Sequence, residues 1–247
     1  MPKADANTLE KDRLMPRRVP LDNVEHQHLR VIDGAGDPAR VNQALVVVSE
    51  FEPLQREYPI LFRKDSDSGF QALVILGFDR QENLFLDGDA WSTRAVPATL
   101  RRGPFFLAAG AQGEGDAMIV VDLDDPRLSD SQGEPLFLEH GGAGAPLQRA
   151  AEALRIVHEG LDETGRMFAL FQDLDLIAPI ALDIELGDGT QYSLPGFFTV
   201  SADRLAALDG EALKELNRSG FLAAAVHARS SLANLQRLAD LKARLHA

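Results

Sequence analysis

His26 and His28 form an H-x-H pair near the start of the 247-residue chain. On a strand over residues 24–31, alternation would point both imidazoles to one face. Two neutral imidazoles on one face can ligate a first-row metal, with a carboxylate as third donor. Glu25 would face the other way, so the third ligand must come from elsewhere. The simpler reading is an exposed or hydrogen-bonding pair.

A second group of donors lies in VDLDDPRLSDSQGEPLFLE, where Asp122, Asp124, Asp125 and Asp130 cluster. A calcium loop needs oxygens at fixed offsets, a glycine at its sixth position and a glutamate at its twelfth. With Gly133 sixth, Asp130 falls third and Glu139 twelfth, but the first position becomes Leu128, which has no side-chain oxygen. His26, His28, Asp130 and Glu139 are therefore the candidate metal ligands. The competing reading of the acidic run is a polar loop whose Asp and Ser side chains cap turns, with Gly133 at positive φ. The next segment, HGGAGAP at 140–146, could offer backbone N–H groups to an anion at a helix start. His140 is also a candidate base, as are His158 and His227. The latter two fall in amphipathic stretches, where a structural histidine is the simpler role.

The most individual segment is ENLFLDGDAWSTRAVPATLRRGPF, residues 82–105. It holds the single tryptophan, Trp91, and the pair Arg101–Arg102. Tryptophan and arginine are enriched where proteins bind partners. Trp91, Arg101 and Arg102 are accordingly the candidate ligand- or partner-binding residues. Signatures for nucleotide, ester and zinc-peptidase chemistry are absent: the chain has no GxxxxGK[ST], no GxGxxG after a strand, no GxSxG and no HExxH. The sequence assigns no cofactor and no catalytic residue.

The elements that must hold these residues change character halfway along the chain. Short runs rich in Val, Ile, Leu and Phe predict strands at 44–48, 60–62, 72–78, 83–86, 105–109, 118–123 and 135–138. Helical turns are expected at 52–57 and 97–102. Ala145–Glu159 shows a 3.6-residue apolar period, which Gly160 and Gly165 interrupt and 167–177 resumes. Residues 180–186 and 192–200 read as a β-hairpin around Asp188-Gly189. Ser201 caps a helix over 202–208, residues 211–217 form another, and 221–245 form the last. Leu232, Leu235, Leu238, Leu241 and Leu245 line one face of that helix. The stripe suits the protein's own core, or a second copy in a homo-oligomer. The fold class expected is α+β: a β-rich N-terminal half, helices concentrated in the C-terminal half, and one β-hairpin. Residues 1–15 are expected to be flexible, and 16–247 to form one domain.

Composition limits the function classes. The chain carries 25 basic and 38 acidic side chains, a net charge of −13. The first 20 residues hold +2 and residues 220–247 hold +3, which leaves −18 for the middle. Such an acidic body argues against nucleic acid as a partner. No apolar run is long enough to span a bilayer, and the first residues lack a secretory leader. The expected compartment is the cytoplasm. The absence of cysteine excludes disulfides, iron–sulfur clusters and a thiol nucleophile.

Laid end to end, several segments resemble the SapC family of bacterial proteins. They are YPILF at 58–62, ALVILGF at 72–78, ENLFLDGDAW at 82–91, VPATLRRGPF at 96–105, GEPLFLEHG at 133–141 and GFLAAAVHARSSLANLQRL at 220–238. In the last, His227, Ser231, Leu232 and Asn234 match an aliphatic run followed by His and Ser-Leu-x-Asn. Ala95 stands where members commonly carry tyrosine. The resemblance implies a protein named for a bacterial surface layer. It also implies gene neighbourhoods with outer-membrane TonB-dependent receptors, flavin-dependent halogenases and cupin-like or 2-oxoglutarate-type hydroxylases. It supplies no activity and no catalytic residues. The leading expectation is a non-catalytic accessory or binding protein of a surface uptake or tailoring system, with a protein, peptide or small-molecule partner. The alternatives are a metal-dependent oxygenase or hydrolase, and a surface-layer structural protein.

Overall fold

A computed structural model describes residues 17–32, 40–108, 117–186 and 189–246. The stretch 1–15 expected to be flexible lies outside them. In chain order the strands are β1 (Arg18–Pro20), β2 (Arg30–Val31), β3 (Gln43–Val46), β4 (Ile60–Asp65), β5 (Gly69–Ile75), β6 (Leu86–Asp87), β7 (Ala90–Trp91), β8 (Phe105–Ala108) and β9 (Met118–Asp122). There follow β10 (Leu128–Ser129), β11 (Glu134–Pro135), β12 (Ile177–Ile180), β13 (Asp183–Glu185), β14 (Gln191–Ser193) and β15 (Phe197–Val200). The helices are α1 (Phe51–Leu54), α2 (Ala98–Arg101), α3 (Ala145–Asp173), α4 (Ala202–Ala206), α5 (Gly210–Arg218), α6 (Phe221–Ser230) and α7 (Asn234–His246). Every pairing between these strands is antiparallel. With strands leading and helices dominating the C-terminal part, the class is α+β, as the sequence predicts.

The chain divides into two compact units: Met1–Gly34 with Arg102–Leu154, and Ala35–Arg101 with Arg155–Ala247. In the first unit the main sheet is ordered β1-β9-β8. Phe105 and Val121 are buried and face the unit's core with Leu29, Leu136 and Leu147. Their neighbours Arg18, Phe106 and Val120 project to the other face, since strand side chains alternate. A smaller sheet, β10-β2-β11, completes the unit. Its last strand is Glu134–Pro135 rather than the expected 135–138, because the chain turns at Leu136, whose N–H bonds to Leu29.

The second unit is built on the sheet β12-β15-β4-β5-β3. Its central strand opens with Ile60, Leu61 and Phe62, all fully buried, so both faces are covered there. Phe62 meets Phe168 of α3 edge-on at 5.0 Å, and Phe70 stacks on the same ring at 5.8 Å. The expected hairpin is present as β13 with β14, and it continues into the sheet as β12 with β15. Its Asp188 lies outside the described residues. Residue 177 opens β12 instead of ending a helix. The expected strand at 83–86 is mostly a turn, in which the Asn83 side chain accepts from the Phe85 N–H at 3.0 Å.

Two helix expectations are also corrected. Gly160 and Gly165 do not interrupt α3, which runs unbroken for 29 residues. A Cβ on Gly160 would fall 2.5 Å from the Val47 side chain, so its bare Cα lets the helix approach that residue. One turn later the Thr164 hydroxyl accepts from the Val48 N–H at 2.9 Å. The last helix, by contrast, is broken at Ser231–Ala233 by a 3₁₀ turn. Ser231 Oγ there accepts from the Ile60 N–H at 2.8 Å. Most of the leucine stripe packs inward: Leu238 is fully buried and Leu232, Leu235 and Leu241 pack on the same core, whereas Leu245 is exposed.

Candidate binding site

In the second unit, the segments that individualise the sequence meet at Tyr58. Its ring is fully buried and packs edge-on against Phe85, with centroids 4.7 Å apart. Its hydroxyl donates to the Ala95 carbonyl at 2.7 Å, which leaves the phenolic oxygen to accept from the Thr93 hydroxyl. Burial pushes the phenol up to about 12. The Tyr58 carbonyl accepts from the Asn234 amide at 3.1 Å, and that amide also donates to the Gln55 carbonyl at 2.8 Å. Arg237, three residues on, pairs with Glu57 at 2.8 Å. Ala95 contributes its backbone carbonyl here, and its side chain packs on the core.

Glu50 is the second buried group of this unit. Its carboxylate accepts from the Ala98 N–H at 2.7 Å and the Val47 N–H at 3.2 Å. Burial raises its pKa above the ordinary carboxyl value; the two N–H groups and the nearby Arg101 charge oppose that rise. Ala98 opens α2, so Glu50 fixes the start of that short helix. The Thr99 hydroxyl donates to the Leu45 carbonyl at 2.7 Å and fixes its flank. Arg101, at the end of α2, is exposed. Trp91 lies on β7 opposite Leu86 of β6 and is half-buried against the unit's core.

A third polar cluster surrounds Lys242, whose side chain is 7% exposed. Its ammonium bonds Asp79 at 2.7 Å and Glu82 at 2.5 Å. Burial works against that charge, but the two carboxylates outweigh it and hold the pKa above the usual lysine value. Tyr192 stacks on Phe78 at 4.8 Å beside it.

In the first unit, Arg102 is half-buried and donates to the Phe105 carbonyl at 2.7 Å. Its guanidinium lies 3.8 Å from the centre of the Phe106 ring, and that of Arg18 lies at the same distance from it. Arg127 is clamped by Asp125 through contacts of 2.9 and 2.6 Å. Burial, then the charges of Arg127 and Arg18, lower the pKa of Arg102.

The H-x-H pair is not on a strand. Residues 23–28 are a turn, and the alternation that would align the imidazoles does not operate. His26 is buried and its Nδ1 accepts from the Asp22 N–H at 3.0 Å. His28 is exposed, with Nε2 3.5 Å from Asp130 Oδ1. Glu139 and His140 are exposed on the turn that follows β11. Among the described residues no three His, Asp or Glu side chains are grouped to hold a metal ion. The acidic run caps turns: Asp122 accepts from the Asp124 N–H at 3.2 Å, and Asp124 from the Arg17 N–H at 3.0 Å. Gly133 has φ +91°, and a Cβ there would lie 2.2 Å from the Val31 carbonyl oxygen. Gly144, before α3, is needed for a similar reason: a Cβ would lie 2.4 Å from the Pro135 oxygen.

Sequence reasoning singled out Trp91, Arg101 and Arg102 by residue type and did not pick out Glu50, Tyr58, Lys242 or the Arg18–Phe106 contact. Lys242 carried a signal, since it stands four residues after Leu238 on the apolar stripe. The contact of Arg18 with Phe106 depends on strand pairing across some ninety residues and left none.

Among helices of the described residues, none is long and apolar enough to cross a membrane. Comparison with curated proteins and with solved structures gives no match. The model of one family, SapC, matches residues 21–238, nearly the whole chain. That span takes in every segment that meets at Tyr58, and the chain belongs to the SapC family.

Proposed function

We propose that this protein is a binding protein, accessory to a bacterial surface uptake or tailoring system, which works in the cytoplasm without catalysis. One observation carries the reading. The short helix α2 is held at its start by the buried Glu50 and at its flank by Thr99, and it ends in an exposed Arg101. Among the described residues no carboxylate pairs with that guanidinium. An exposed arginine at the end of a helix held in this way is the kind of group that anchors a protein, peptide or small-molecule partner. Trp91, half-buried in the same unit, is the second residue proposed to meet the partner. By contrast, the carboxylate, phenol and ammonium that could do acid–base chemistry are bonded within the fold.

Native mass spectrometry of the protein purified from its own host, with metal analysis on the same sample, tests this. The expected result is a retained partner and no stoichiometric metal. Arg101→Glu, and the Trp91→Ala/Arg101→Ala pair, should lose that partner while remaining folded by circular dichroism. Undiminished retention by the folded Arg101→Glu protein would overturn the placement. One iron or zinc per chain would overturn the non-catalytic reading.

A further inference from the structure

Arg18, Phe106 and Arg102 make a second arrangement with ligand chemistry, within the first unit. Phe106 stands on the sheet face turned away from the unit's core, in register with Val120 of β9. Arg18 pairs with Asp122 on the same strand, two residues along, so its side chain shares that face. Arg102 enters from the turn before β8. Both guanidiniums rest 3.8 Å from one ring centre.

Stacking on a ring uses the flat face of a guanidinium and leaves its N–H edge open. Arg102 uses one N–H on the Phe105 carbonyl. Among the described residues Arg18 donates to no acceptor, and neither guanidinium has a carboxylate within 4.0 Å. The adjacent acids are engaged elsewhere. Asp125 holds Arg127 at both oxygens, and Asp122 accepts from the Asp124 N–H. Two cations held by one phenyl ring, with their donor edges unused, are stable only while something solvates those edges. Water does so in the free protein, and a bidentate oxyanion does so better, because the planar fork of arginine matches its geometry. The crowding of Arg102 by Arg18 and Arg127 adds to the gain on binding an anion.

We propose that Arg18 and Arg102, fixed by Phe106, form a binding site for an oxyanion, the phosphate or carboxylate group of a small molecule. The site needs neither Trp91 nor Arg101, and it does not rest on the binding reading above. An acidic protein is an unpromising place for adventitious anion binding, since its net charge of −13 repels anions at long range.

Isothermal titration of the full chain with inorganic phosphate, and separately with citrate, at low ionic strength tests the proposal. One saturable site per chain is expected. Arg18 is exposed, so Arg18→Gln should fold normally and weaken binding by roughly tenfold or more, as loss of a charge-assisted pair does. Phe106→Leu should weaken it as well, by freeing both guanidiniums. Tighter phosphate binding would assign a phosphate-bearing ligand, and tighter citrate binding a carboxylate-bearing one. Absence of saturable binding with either anion, or undiminished binding by folded Arg18→Gln, would overturn the site. The Trp91→Ala/Arg101→Ala protein separates the two readings: it should lose its partner yet titrate with the anion as the wild type does.

Discussion

Tyr58 donates its hydroxyl hydrogen to the carbonyl oxygen of Ala95, 37 residues away in sequence and 2.7 Å away in space. The same residue receives the Asn234 amide on its own carbonyl, 176 residues away. One buried tyrosine therefore joins the loop before β4, the segment after β7 and the start of α7. Tyr58 and Asn234 fall in two of the stretches on which the SapC resemblance rests, and these contacts hold the three segments together.

That role gives the stability of the second unit an alkaline limit. The phenol ionises at about 12 in the fold, against an ordinary 10.0. The folded state thus keeps a proton that the unfolded chain releases. The stabilisation is complete below pH 10.0 and is lost as pH rises through that window to about 12. Tyr58→Phe should cost about 1–2 kcal/mol at neutral pH by leaving Thr93 and the Ala95 carbonyl unpaired. Denaturant unfolding at neutral pH and at pH 11 checks both parts: the gap between wild type and variant should shrink at the higher pH.

Lys242 should matter far more than the surface ion pairs. Removing a buried partner leaves the remaining charge uncompensated. Glu82 would be that charge, with its side chain 16% exposed, whereas Asp79, 57% exposed, can turn to water. Lys242→Met should therefore cost about 2–3 kcal/mol, somewhat below the roughly 3–5 kcal/mol of a fully buried pair. Arg56→Ala removes an i,i+4 pair exposed on both sides and should cost no more than about 0.5 kcal/mol. Urea unfolding of the two variants side by side measures the difference, and equal costs would refute this account.

Lys242 also marks where reading the sequence stops. Helix and strand types follow from local period, and so the α+β class, the Ser201 cap and most strands were legible. Buried polar pairs are not local. Lys242 stood out as a lysine on a leucine stripe, but nothing near it pointed to Asp79 and Glu82, some 160 residues earlier. Glu50 gave still less, because its partner is the backbone N–H of Ala98, and any residue but proline supplies one there. The simpler reading of the H-x-H pair, as an exposed and a hydrogen-bonding histidine, holds, while the strand alternative failed for a related reason. Its premise was a strand, and the Asp22 side chain, which accepts from the Val24 and Glu25 N–H groups at 2.7 and 2.9 Å, forms a turn instead. Of the residues described in the site, only Trp91, Arg101 and Arg102 could be singled out by type, and none of their contacts could be read.

The two glycines of α3 show the same limit and allow a sharp test. Both read as helix breakers from sequence, since glycine costs about 1 kcal/mol against alanine in a helix interior. The structure gives them opposite meanings. Gly160 faces Val47, and an added Cβ would lie 2.5–3.0 Å from its side-chain carbons. Gly165 has nothing within 4 Å of that position. Gly160→Ala must push α3 away from Val47, and with it the Thr164 hydroxyl that accepts from the Val48 N–H. Overpacking of this kind costs about 1–3 kcal/mol, more than the helix propensity gained. Gly165→Ala gains the propensity with no clash and should stabilise by about 0.5–1 kcal/mol. Thermal unfolding of the two single variants should move the midpoint in opposite directions. A stabilising Gly160→Ala would mean that the helix does not rest on Val47 and that the glycine is there by composition alone.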